Sequence, residues 1–343
     1  MPVNSSIIHH LAAECGFDLA GIANAAQVPD FDRFRSWAER GLAGEMRYLT
    51  DHRSDIRGDL CRLLPDVQSV ICVGLIYNGP EPYSTRFSEP ERGWISRYAW
   101  GADYHEILRA KLEELNHKLQ QVEQFNSRVC VDTAPLLERS LANRAGLGWI
   151  GKNTCLIDQK IGSWFFLGEL LTSLSLEPAT PPPDRCGTCT RCIDACPTEA
   201  IVPSPDGHFE LDARRCISYF TIELRGTIPE ELRESMGSHL FGCDICQDVC
   251  PWNNRAKLQI RANFAPREFA PSLERMASIS EAEFREIFRH SPVSRAKYRG
   301  FLRNVAVAMG NSGLQKFREP LTKLAASEDT VVAEHARWAF EKL

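Results

Sequence analysis

The chain has 343 residues, 43% of them apolar and 25% charged, with a formal net charge of −5. This composition excludes a disordered polyelectrolyte and a small disulfide-stapled scaffold, and no uncharged apolar run approaches the roughly 18 residues of a membrane span. Two or three globular domains are expected.

The charge is unevenly spread. Residues 251–320 hold 13 Lys or Arg against 6 Asp or Glu, a net of +7, leaving −12 on the rest. Such asymmetry points to a polyanionic partner at the C-terminal third or to a solvated basic face. The start, Met1-Pro2-Val3-Asn4-Ser5-Ser6, has neither the basic nor the apolar segment of an export signal, so a reducing cytoplasm is the expected location.

The first part reads as mixed α and β. Val67–Tyr77 is predicted as a buried strand between Pro65-Asp66 and Asn78-Gly79-Pro80. A long helix is predicted over His105–Phe125, where Leu108, Leu112, Leu115, Leu119 and Val122 repeat at helical spacing as a packing seam. Arg128–Val131 is a second strand, ending in Asp132-Thr133-Ala134-Pro135, and Gly162–Gly168 a third, offering aromatic side chains to a large ligand. Cys72 and Cys130 lie in apolar runs and read as small hydrophobes, while Cys15, Cys61 and Cys155 have no ligand-like spacing. Four prolines between Pro178 and Pro183 mark a boundary. Beyond Trp252 the pattern turns helical, at Phe301–Met309 and Val331–Leu343, as one HEAT-like unit that must dock elsewhere to bury its apolar face. The expected domains are therefore 1–177, 178–255 and 256–343.

Eight cysteines crowd the middle domain: Cys186-x-x-Cys189-x-x-Cys192-x-x-x-Cys196-Pro197, then Cys216, then Cys243-x-x-Cys246-x-x-x-Cys250-Pro251. The first run fits the bacterial ferredoxin pattern, in which three thiolates hold one cluster and the fourth reaches across to the other. The second run is one ligand short, and Cys216 restores the count. The reading is two 4Fe–4S clusters, one on Cys186, Cys189, Cys192 and Cys250, the other on Cys196, Cys216, Cys243 and Cys246. A pair of structural zinc sites is the alternative, since Cys-x-x-Cys also serves zinc.

Tyr98–His105, Val131–Pro135, Gly148–Thr154, Ser218–Gly226 and Phe241–Asn253 lie in order along the chain, and together they closely resemble the epoxyqueuosine reductases, which complete queuosine in tRNA and are related to reductive dehalogenases. The resemblance implies an α+β fold with a nitroreductase-like cobalamin-binding domain, a ferredoxin-like two-cluster domain and C-terminal HEAT-like helices. It implies cobalamin beside the two clusters, and removal of an epoxide oxygen with two electrons and two protons. Asp132 matches the family's proton donor, its neutral form expected to be favoured by burial beside the corrin. From local sequence alone, Asp132 reads as a turn or cap before a helix over 136–142. Asp103-Tyr104-His105 is similar to the start of a cobalt-ligating D-x-H-x-x-G signature, but Leu108 replaces its Gly, so His105 is read as a polar residue at a helix start. Ala99, at the position that approaches cobalt in relatives, has no donor atom.

Cofactor contacts implied by the matching motifs are Arg57, Ala99, Asp132, Asn153, Ser163, Phe165, Ser218, Arg225, Cys243 and Asp244. Arg295, Lys297, Arg299 and Arg303 are expected to meet tRNA phosphates. The implied partners are a tRNA bearing epoxyqueuosine and an external one-electron donor such as a flavodoxin or ferredoxin, acting on a monomer with no membrane contact. A cytoplasmic cobalamin-dependent dehalogenase and a plain ferredoxin-type electron carrier are the rival readings.

Overall fold

Residues 69–76 (Ser-Val-Ile-Cys-Val-Gly-Leu-Ile) show no polar alternation, and every one is buried, as befits a strand covered on both faces. In the computed structural model, which describes residues 2–343 apart from Gln27 and Pro29, this segment (β2) is central in a four-stranded antiparallel sheet. The others are β1 (Leu19–Asn24), β3 (Ser127–Cys130) and β4 (Phe165–Thr172), in the order β1-β2-β4-β3. Strand β4 begins three residues after Gly162 and runs on to Thr172, which puts Glu169 opposite both Cys72 and Cys130.

Each face of the sheet has its own helical cover. On one, helices Ser5–Glu14 and Tyr104–Val122 bury Ile8, Ala12, Leu108, Leu112, Leu115 and Leu119 against Ile71, Val73, Phe166 and Leu170, while Val122 stays exposed at the end of the seam. Gly168 permits this close approach, since a Cβ there would stand 2.8 Å from Leu112 Cδ1. On the other face, the short helix Glu138–Arg144 sets Leu141 and Ala142 against Val70, Cys72, Cys130 and Leu171.

The cysteine-rich segment and the C-terminal helices Lys297–Ser312, Arg318–Ala325 and Thr330–Glu341 share one apolar core, in which Phe220 and Phe241 meet Phe301, Val305, Met309 and Trp338. This docking is what an unpartnered helical unit requires, and the shared core spans the expected boundary at residue 255. Polar anchors reinforce it: Asn304 Nδ2 donates to Thr221 O (3.0 Å) and Leu240 O (2.8 Å). His239–Phe241 also pairs in parallel with Trp94–Ile95, tying this core to the first part of the chain. Among the described residues no helix is long and apolar enough to cross a membrane.

Candidate active site and cluster centres

Just past β3 the chain turns sharply at Asp132, whose φ of +47° lies in the left-handed region. Thr133 N–H closes the turn on Val131 O, a tight three-residue geometry that non-glycine residues adopt only under constraint. The constraints are visible. Asp132 N–H donates to Glu138 Oε1 (2.6 Å), Tyr104 Oη donates to Asp132 Oδ2 (2.7 Å), and His105 Nε2 lies 3.0 Å from the same oxygen. His105 Nδ1 is 2.6 Å from Asp103 Oδ1, the oxygen that also caps the helix by accepting from His105 N–H. Tyr104 is fixed in turn by stacking on Phe166, with ring centroids 4.3 Å apart.

The result is an imidazole between two carboxylates, with 43% of the Asp132 side chain open to solvent. Burial disfavours the His105 cation, but hydrogen bonds and charge from Asp103 and Asp132 outweigh it and raise the imidazole to about 9. Burial likewise acts to raise Asp132, yet hydrogen bonds from His105 and Tyr104, with the charges of His105 and Arg295, bring it below its ordinary value. This corrects the expectation of a neutral Asp132: the pair holds its proton on His105 and its negative charge on Asp132. Nor is Asp132 a helix cap, because helix Glu138–Arg144 begins after Leu137.

The structure separates the other expected contacts into two groups. Arg57 donates to Arg53 O (3.0 Å) and Tyr48 O (3.2 Å). Asn153 bonds Cys246 O (3.2 Å), and Ser163 bonds Gln247 (2.9 Å) and Asn253 (2.9 Å). Asp244 is buried and accepts from Trp94 Nε1 (3.2 Å), Arg97 N–H (2.8 Å) and Ser96 Oγ. These four polar groups all make hydrogen bonds inside the protein, where they brace the framework. Ala99 and Phe165 are buried apolar residues. Asp132, Ser218, Arg225 and Cys243 remain at least partly accessible.

The basic stretch divides similarly. Lys297 is exposed, Arg299 pairs with Asp329 (2.9 Å), and Arg295 pairs with Glu223 (2.8 Å) while lying over the Tyr48 ring. Arg225 donates to Arg295 O (3.0 Å) and Ala296 O (3.1 Å), which fixes the start of this stretch against the cluster region. Arg303 corrects the sequence expectation. It is 1% exposed and its guanidinium donates to Leu224 O (2.9 Å), Gly226 O (2.7 Å) and Phe220 O, leaving nothing for a phosphate.

The eight thiols gather in two neighbourhoods. Cys192 feels Cys250, Cys186 and Cys189, whereas Cys243 feels Cys216 and Cys196, and Cys246 feels Cys243 and Cys216. Each neighbourhood carries N–H donors of the kind that stabilise cluster sulfur. Ala200 N–H reaches Cys196 Sγ at 3.3 Å, and backbone N–H groups of Ser218 and Tyr219 reach Cys216, while the buried Trp149 Nε1 near Cys186 has no hydrogen-bond partner among the described residues. The donor set fits two iron–sulfur clusters. Among the described residues no three His, Cys, Asp or Glu side chains converge as ligands of one metal ion would. Cys155, far from the ligand pattern in sequence, lies in hydrogen-bond contact with Cys246.

Sequence reasoning missed the roles of Tyr104, His105, Glu138 and Glu169 around Asp132. The Asp103-x-His105 spacing was the available signal, because a capping aspartate two residues before a histidine can hold its ring.

Thiol sets for electrons beside a carboxylate–imidazole pair for a proton make this an iron–sulfur oxidoreductase. Residues 185–253 match the 4Fe-4S double cluster binding domain, and residues 57–133 match the domain described as epoxyqueuosine reductase QueG. The epoxyqueuosine reductase of Xanthomonas campestris is 42% identical over 97% of this chain and 94% of its own length. A crystal structure of an epoxyqueuosine reductase with an epoxyqueuosine-modified tRNA-Tyr stem loop superposes with a TM-score of 0.89 at 31% identity, covering 98% of this chain and 89% of that one. A Bacillus subtilis epoxyqueuosine reductase, solved with the loop of its catalytic aspartate swung out of the active site, gives 0.87 at 31% identity with the same coverage. The chain belongs to the epoxyqueuosine reductase family.

Proposed function

We propose that this chain reduces epoxyqueuosine at the wobble position of a tRNA to queuosine, removing the epoxide oxygen as water with two electrons and two protons. The observation that carries this reading is the Asp103–His105–Asp132 arrangement, a proton store at a partly exposed carboxylate, in a chain 42% identical to a named epoxyqueuosine reductase. When bound, cobalamin supplies low-valent cobalt for attack on an epoxide carbon, and the two 4Fe–4S clusters supply electrons singly.

The accessible donors Ser218 and Arg225 would suit the amides and phosphate of cobalamin, and Ala99 offers no donor atom to cobalt. The protein's own part in the chemistry is protonation. As the epoxide C–O bond breaks, the partly exposed Asp132 carboxyl relays the proton held at His105 Nε2, 3.0 Å from Asp132 Oδ2, to the developing alkoxide. Tyr104 Oη keeps that oxygen oriented. The Asp132 turn has an inward and an outward position, as the catalytic aspartate loop of the Bacillus relative suggests.

Lys297, Arg299 and Arg295 take tRNA phosphates, while the unstacked wobble base approaches the exposed Asp132 side chain. In this reading residues 1–177 form the nitroreductase-like cobalamin domain, 178–255 the ferredoxin-like domain with its two four-cysteine sets, and 256–343 the HEAT-like tRNA-contacting region. The chain acts as a cytoplasmic monomer fed by a flavodoxin or ferredoxin.

The test is anaerobic incubation of cluster- and cobalamin-loaded protein with a chemical reductant and an epoxyqueuosine-bearing tRNA stem loop, followed by nucleoside mass spectrometry. A product lighter by one oxygen is expected. An unchanged nucleoside from fully loaded protein would overturn the reading.

A further inference from the structure

Beneath the Asp132 turn lie a buried and a half-buried carboxyl group, Glu169 and Glu138, that the reaction itself does not use. Glu169 projects from the middle of β4, fully buried on the face that also carries Cys72 and Cys130, its partners in register on β2 and β3. Neither of its oxygens meets an N–H or O–H donor of the protein among the described residues. Its polar neighbour is Glu138, from the first turn of the helix packed on that face. An ionised carboxylate is costly in such surroundings, so the neutral form of Glu169 is favoured. Burial, followed by the Glu138 charge, pushes Glu169 well up, and burial with the Asp132 charge raises Glu138 to about 7.

Glu138 spends its other capacity upward, where Oε1 accepts Asp132 N–H at 2.6 Å. That N–H belongs to the residue with φ of +47°, at a turn whose remaining inward ties run through the Asp132 side chain. A left-handed aspartate persists only where its surroundings hold it.

We propose that Glu138, packed against the buried Glu169, is the positioning residue that latches the Asp132 turn in its inward, proton-delivering conformation. The inference rests on the proposed role of Asp132 as proton donor and adds the element that fixes its place. It also gives the Glu169 side chain a purpose that packing does not, since an apolar residue would fill the same space without needing a proton.

The latch is read by hydrogen exchange of the Asp132 and Thr133 amides in the iron-loaded protein, alongside the single-turnover rate and tRNA affinity. Glu138→Ala removes the acceptor and should speed exchange about tenfold or more. The single-turnover rate should fall about 10- to 100-fold, because the donor is misplaced rather than lost, with tRNA affinity unchanged. Glu138→Gln still offers a carbonyl to Asp132 N–H and an N–H to Glu169, so it should restore slow exchange and most of the rate. Should the Ala variant lose its iron and its fold, Glu138→Asp decides the matter, since it keeps the carboxyl but withdraws it by one bond length and should exchange fast.

Wild-type exchange in both Ala and Asp variants, or in the Asp variant alone if Ala does not fold, would overturn the latch. Failure of the donor role reads differently: Asp132→Asn would turn over at the wild-type rate, while the exchange difference between Glu138→Ala and Glu138→Gln would persist.

Discussion

Replacing Asp132 with Asn tests the proton store from both ends. The amide keeps the shape of the side chain and can retain the bond from Tyr104, but it carries no charge to hold the imidazolium and no proton to give at neutral pH. Loss of a positioned acid slows such a step by roughly 10²- to 10⁴-fold. The same substitution must also be felt by His105, which the two flanking carboxylates raise from 6.5 to about 9. A rise of that size corresponds to about 3 kcal/mol in favour of the imidazolium. Asp132 is 43% open to water, so screening reduces its own share to about 1 kcal/mol. The His105 midpoint should therefore drop by about 1 pH unit in Asp132→Asn, with Asp103 retaining the rest. Nitrogen NMR of labelled histidines follows this titration, with His105→Gln identifying the resonance. The sign is fixed: a raised histidine stabilises the fold fully below pH 6.5 and loses that contribution as pH climbs through about 9, so turnover and stability should both decline on the alkaline side. A native His105 midpoint at or below 6.5, or wild-type turnover in Asp132→Asn, would refute the reasoning.

Anaerobically reconstituted protein should carry about eight iron atoms per chain, and Cys216→Ala should reduce this to about four, measured by iron and sulfide analysis; two tightly bound zinc ions instead would contradict the cluster reading. Replacing Arg295, Lys297 and Arg299 together by Ala should weaken tRNA binding at low salt and flatten the log–log salt dependence by up to about 2, with iron content unchanged. Arg303→Ala behaves differently, since its guanidinium bonds buried backbone carbonyls; the expected loss is about 3–5 kcal/mol of stability, seen as a lower midpoint of thermal unfolding. Asp244→Ala should destabilise to a similar degree, about 3 kcal/mol or more, because Trp94 Nε1 and Arg97 N–H lose their buried acceptor.

Local chemistry made much of this protein legible in its sequence. The eight cysteines announced their clusters because ligand spacing is set over a few residues, and the missing ligand of the second run could be supplied by counting. The seam of Leu108, Leu112, Leu115 and Leu119 and the apolar run of β2 likewise reflect periodicities that the backbone imposes on itself. Asp132 was reached through motif resemblance, whereas its charge state was not, because that depends on an imidazole 27 positions away in sequence that only folding brings to 3.0 Å. The basic stretch shows the same division. Sequence counted Arg303 among four equivalent cations, but the helix turns it into the shared core, where carbonyls from residues 220–226 claim it. Glu169 is the extreme case: an ordinary charged letter at the end of an aromatic run becomes a buried acid once β4 pairs on both sides and Glu138 closes over it. Spacing along the chain determines which groups can share a ligand, while desolvation and charge pairing depend on which distant groups the fold places around them, and these decide where the proton sits.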